Sequence, residues 1–199
     1  LTHAIEQQPW EDWIGETRQY LSWESLHDGL VELLAGKGRV AAEISPLDAV
    51  PYLDRLPFGV VEILGEIGLT LRSSGDLVSA FHSRWDDAGL ASHREAAGIL
   101  QAVAGDAFAR VGETLRSGGA INEWELREWV VGEIARRGLE VGGDSIVAVN
   151  GNAANPHYAP GAEKNSPIRP GDVLLIDLWG KKDAHAVYAD QTWMASVGG

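Results

Sequence analysis

Two β-rich runs in the last quarter of the chain each hold one carboxylate: Asp177 within VLLIDLW (173–179) and Asp190 within VYADQTWM (187–194). A polar KKDAH segment separates them, so an antiparallel hairpin is the economical arrangement. With its turn centred between Asp183 and Ala184, paired residue numbers sum to 367, which sets Asp177 opposite Asp190 and Trp179 opposite Tyr188. Two aspartates on one sheet face repel each other and lose water among Leu, Ile and Trp, an arrangement that calls for a compensating ion or proton. Three outcomes satisfy the charges: a divalent cation between them, one protonated aspartate, or a different register that turns one of them to solvent.

His157 is the third candidate. It follows Asn155 and Pro156 and precedes Tyr158 and Pro160, which places it on a stiff loop able to aim an imidazole at a substrate. The plain alternative is a surface histidine within a loop whose polar groups satisfy only each other. Tyr188 and Thr192 share the side of Asp190 by the period of two, where they can support a carboxylate ligand. His3, His27, His82, His93 and His185 have no partner at ligand spacing and are assigned no chemistry.

The order NPHY, GDVLLIDLW, YADQTW closely resembles the first half of the catalytic domain of the M24 metallopeptidases, the pita-bread family of Xaa-Pro aminopeptidases, prolidases, methionine aminopeptidases and creatinase. The resemblance runs over residues 77–194. It implies a dinuclear centre in which Asp177 is a terminal ligand, Asp190 bridges both metals and His157 contacts the substrate. A histidine and two glutamates from the second half of the domain complete that ligand set in the family. The implied cofactors are two divalent ions, with Mn, Co, Fe and Zn all suited to such a site. The implied activity is hydrolysis of peptide bonds next to proline by a homodimer acting on a peptide or small-molecule substrate; separately, the lack of a membrane-span or signal-peptide pattern reads as a cytoplasmic protein. A creatinase-like C–N hydrolase that needs no metal, and a non-catalytic binding module of the same fold, are the alternatives. Two positions depart from the family pattern: Trp179 replaces a frequent Gly, and Thr192-Trp193 replaces Thr-Arg, so Trp179 is expected to narrow the pocket. The chain begins at Leu and closes nine residues after Asp190, which reads as a fragment with no peptidase activity of its own.

These residues need a scaffold. With 199 residues, 45% hydrophobic, the chain has material for one large or two small globular domains. A formal charge of −13, with 16 scattered Lys and Arg, speaks against a nucleic-acid partner and gives no attraction to anionic membranes. Zero cysteines leave carboxylates and histidines as the available metal ligands. No apolar run approaches the roughly 20 residues of a membrane span, and the first residues lack the pattern of a signal peptide.

Residues 1–75 read as a small α/β domain: a helix over 23–34 ended by Gly36, a strand over 38–46, a helix over 48–56, and an apolar segment over 59–66 that fits either state. Ser73, Ser74 and Gly75 form the expected linker. By position it matches the N-terminal domain of the creatinase and prolidase branch. Residues 76–199 read as the truncated first half of an α+β pita-bread domain, with a helix over 90–115, a second helix capped by Asn122 and stopped by Gly138, a strand over 145–150, and the hairpin.

Overall fold

The computed structural model describes residues 1–141 and 145–198. Its contacts divide the chain into two compact units, Leu1–Arg84 and Trp85–Gly199.

In the first unit, β1 (Thr2–His3) and β2 (Gln19–Tyr20) pair in parallel and lead into α1 (Trp23–Leu34). That helix covers the expected residues because Ser22 caps it: the Ser22 hydroxyl accepts the Ser25 amide at 3.3 Å, and the Ser25 hydroxyl accepts the Ser22 amide at 2.9 Å. Strand β3 (Arg39–Ala42), helix α2 (Phe58–Glu66) and strand β4 (Thr70–Ser73) form a βαβ crossover, with β3 and β4 parallel. Helix α3 (Gly75–His82) follows at once.

For this unit one open alternative is settled and two expectations are corrected. The apolar segment that fitted either state is helical, as α2. The helix expected over 48–56 is absent; only 3-10 turns form at Pro46–Asp48 and Pro51–Leu53. Leu47 and Asp48 hold φ of 59° and 54°, and a right-handed helix cannot pass through left-handed residues. The expected Ser-Ser-Gly linker is built into structure: Ser73 ends β4, the Ser74 amide donates to the Ala42 carbonyl at 2.8 Å, and Gly75 opens α3. The boundary between units falls later, between Arg84 and Trp85.

The second unit is α+β. Helix α4 (Asp87–Arg116) starts where the Asp86 carboxylate accepts the Gly89 amide at 2.7 Å. Helix α5 (Glu123–Arg136) starts at the Asn122 capping box, with Glu125 reaching back to the Asn122 amide. Strands β5 (Ile146–Val149), β6 (Val173–Gly180) and β7 (Ala189–Ser196) form an antiparallel sheet with β6 in the centre. Burial alternates along β6: Leu174, Ile176 and Leu178 are buried with Leu100, Val103, Leu126, Val130 and Ile134 of the two helices. Each such side chain contributes roughly 1.5–3 kcal/mol of burial. Leu175, Asp177 and Trp179 point the other way and are only half-buried. On that open face Val173 and Met194 keep 43% and 60% of their surface exposed.

Candidate functional site

The hairpin forms, but in a register shifted by two. Asp177 pairs with Thr192, and Trp179 pairs with Asp190. The expected direct opposition of Asp177 to Asp190, and of Trp179 to Tyr188, is therefore corrected. The cause is the connection: β7 begins only at Ala189, leaving Tyr188 in the 181–188 loop instead of a strand. That loop is held by its own contacts. His93 Nδ1 donates to the Tyr188 carbonyl at 2.7 Å, Lys181 Nζ lies 4.9 Å from the Tyr188 ring centroid, and Lys182 pairs with Glu95 at 2.6 Å.

A shift of two keeps side chains on their face. Asp177 and Asp190 thus remain on one side of the sheet, as diagonal neighbours, with Trp179 and Thr192 between and beside them. Diagonal Cβ atoms lie about 7–8 Å apart, a span that two carboxylates can bridge through one cation given metal–oxygen bonds of about 2.0–2.2 Å. Thr192 Oγ1 donates to Asp177 Oδ1 at 2.6 Å. Asp190 is solvent-exposed, and partial loss of water, then the Asp177 charge, raise its carboxyl above its ordinary value. An acidic pair with one member held back from ionising is a donor set suited to a hard or borderline divalent ion. Among the described residues no third His, Asp or Glu joins the pair.

A cavity of about 260 Å³ opens beside Asp177, lined by Ile146, Ala148, Leu175, Asp177 and Thr192. Residues 153–156 form its wall. His157 comes next in the chain but is exposed and outside that lining; its backbone amide donates to Asn155 Oδ1 at 3.1 Å. The structure therefore brings Asp177, Asp190 and Thr192 onto one face, leaves His157 exposed one residue beyond the cavity lining, and leaves Tyr188 out.

Glu123 was missed. In sequence it is one of several glutamates alternating with apolar residues on α5. In the fold it is fully buried at the start of that helix and accepts hydrogen bonds from Val149 N, Asn152 Nδ2, Tyr158 Oη and Ser166 N at 2.6–2.9 Å. The only sequence signal is its place directly after a helix cap, where an anion is favoured by the helix dipole.

A sequence profile of metallopeptidase family M24 matches residues 91–199. No curated protein matches the sequence. Among solved structures, the fold is similar to dipeptidase PepE from Mycobacterium ulcerans, with TM-score 0.60, 17% identity, and 90% of this chain and 43% of that one covered. For the prolidase from Pyrococcus furiosus the values are 0.58, 16%, 89% and 49%. For the X-Pro aminopeptidase from Thermotoga maritima they are 0.53, 19%, 98% and 51%. The chain spans about half the length of these structures. Identities this low speak for the fold alone, whereas the profile covers more than half of the chain and includes both strand aspartates; the chain belongs to metallopeptidase family M24.

Proposed function

We propose that these residues carry the first half of a pita-bread peptidase domain which, in the full-length protein, hydrolyses peptide bonds next to proline in the manner of an Xaa-Pro aminopeptidase or prolidase. The observation that carries this reading is the placement of Asp177 and Asp190 as diagonal neighbours on the open face of β6 and β7. Family membership and the fold likeness to a prolidase and an X-Pro aminopeptidase support it.

Asp177 and Asp190 would hold two divalent ions, Mn, Co, Fe or Zn, together with a histidine and two glutamates that the family draws from the second half of the domain. When bound, such ions polarise the peptide carbonyl and activate water. The remaining work belongs to this chain's side chains. The Thr192 hydroxyl occupies one lone pair of Asp177 and fixes the carboxylate's rotation. Trp179, paired with Asp190, limits the volume beside the carboxylates, and His157 contacts the substrate. The Leu1–Arg84 unit takes the role of the creatinase-type N-terminal domain, and the active form is a cytoplasmic homodimer.

The test is hydrolysis of proline-containing dipeptides by the full-length protein with added Mn²⁺. Turnover that is lost in both Asp177→Asn and Asp190→Asn supports the proposal. Metal-independent turnover of a creatine-like substrate, or bound metal with no peptide turnover, overturns it. Residues 1–199 alone, with no third ligand beside the pair among the described residues, are expected to bind metal weakly and to hydrolyse nothing.

A further inference from the structure

A fully buried carboxylate must be compensated, by a cation or by hydrogen-bond donors. Among the described residues Glu123 has no ion-pair partner; it has donors. Oε1 accepts Val149 N at 2.8 Å and Asn152 Nδ2 at 2.9 Å, while Oε2 accepts Tyr158 Oη at 2.6 Å and Ser166 N at 2.7 Å. Two of these donors, Asn152 and Tyr158, flank the segment 153–157. That segment supplies the 153–156 wall of the cavity over Asp177 and Thr192, and then His157. Inside the segment, the Tyr158 amide donates to the Asn155 carbonyl at 3.0 Å and the His157 amide to the Asn155 side chain. One carboxylate on α5 thus holds both ends of the loop.

We propose that Glu123 is a positioning residue, an anionic clamp whose grip on Asn152 and Tyr158 sets the 153–156 wall of the cavity over Asp177 and, with it, the station of the adjoining His157. The inference rests on the proposed peptidase reading for its catalytic consequence but not for its geometry. All four groups donate to Glu123, and the backbone amides of Val149 on Oε1 and Ser166 on Oε2 can do nothing else, so an acceptor is needed on both oxygens. A glutamine would aim its NH₂ at two N–H groups, or at a hydroxyl and an N–H. The clamp also ties the loop to the end of β5 through Val149, the strand paired with β6, so loop and aspartates share one frame. Partners that orient a site through another residue are worth roughly 10–100-fold in affinity or activity, and a displacement of about 1 Å can cost on the order of 10²-fold.

Two variants test the clamp in the full-length protein, Glu123→Gln and Tyr158→Phe, the second keeping the fold if the first does not. Two readouts are taken: kcat and KM on a proline-containing dipeptide with Mn²⁺, and the NMR signals of the His157 ring and the 153–157 amides without metal. The clamp predicts a folded Tyr158→Phe protein with kcat/KM lowered about 10–100-fold and shifted signals of the His157 ring and the 153–157 amides. Unmoved His157 and 153–157 signals in a folded Tyr158→Phe protein overturn it, whatever the stability change. Should the wild type show no peptide turnover, the peptidase reading fails, and the NMR arm still decides the clamp.

Discussion

Replacing Glu123 with Gln should destabilise the Trp85–Gly199 unit far more than its small change in size suggests. The substitution turns one of the two carboxylate oxygens into an NH₂ that faces donors. Whichever way the amide flips, one backbone donor is stranded, Val149 N or Ser166 N, while the Asn152 amide or the Tyr158 hydroxyl beside it can turn to accept. At about 1–3 kcal/mol for a buried donor left without an acceptor, the loss is about 2 kcal/mol. Domains of this size are stable by about 5–15 kcal/mol in total, so the variant should fold with a visibly reduced margin. Tyr158→Phe removes one donor from a carboxylate that keeps three others, and the hydroxyl is only partly buried, so its cost should be about 1 kcal/mol. Urea unfolding followed by far-UV circular dichroism, with hydrogen exchange at the Val149 and Ser166 amides, measures both. A Glu123→Gln cost below about 1 kcal/mol, or one no larger than that of Tyr158→Phe, would refute the reasoning, because a network of four donors on one anion cannot be cut so cheaply.

Burial of Tyr158, and then its bond to Glu123, push the phenol up to about 12. Its proton therefore contributes stability that is fully present below the ordinary phenol pKa of about 10 and is lost as pH rises through the folded value. An ultraviolet titration should show a tyrosinate step near pH 12 that disappears in Tyr158→Phe. For Asp190 the carboxyl is also raised, so its charged form is a burden to the metal-free fold. The stability carried by its proton is present at low pH and lost as pH rises through the folded value; Asp190→Asn should raise Tm at pH 7, with the gain shrinking as pH falls through the raised folded value and gone once the ordinary carboxylate range is reached. An unchanged or lowered Tm at pH 7 would count against a raised Asp190 carboxyl. Limited proteolysis should cut first near Arg84 and Trp85 rather than at the structured 73–75 segment; first cleavage inside α4 or β6 would contradict the two-unit division.

Helix α1 and the start of α5 were readable because their signals are local. Gly36, Asn122 and Gly138 act on neighbours within four residues. The same holds for the face on which Asp177 and Asp190 lie, since alternation is a property of each strand alone. Register is not local. It was set by how many residues the 181–188 loop consumes, and that depended on His93 and Glu95, on a helix far away in sequence. The missing helix over 48–56 has a similar origin: its residues have ordinary propensities, yet Leu47 and Asp48 are held left-handed. Glu123 escaped notice because its donors come from β5, the His157 loop and Ser166, and a glutamate near a helix start reads as solvated until those segments close over it.

The central claim is that Asp177 and Asp190 act together on one metal centre. Anomalous diffraction from crystals of the full-length protein soaked in Mn²⁺ tests it most directly. The account predicts Mn²⁺ peaks within ligand distance of both carboxylates, on the open face of β6 and β7, and loss of those peaks in Asp190→Asn. An ordered protein with Mn²⁺ bound elsewhere, or with the two side chains directed to different ions on different surfaces, would contradict it.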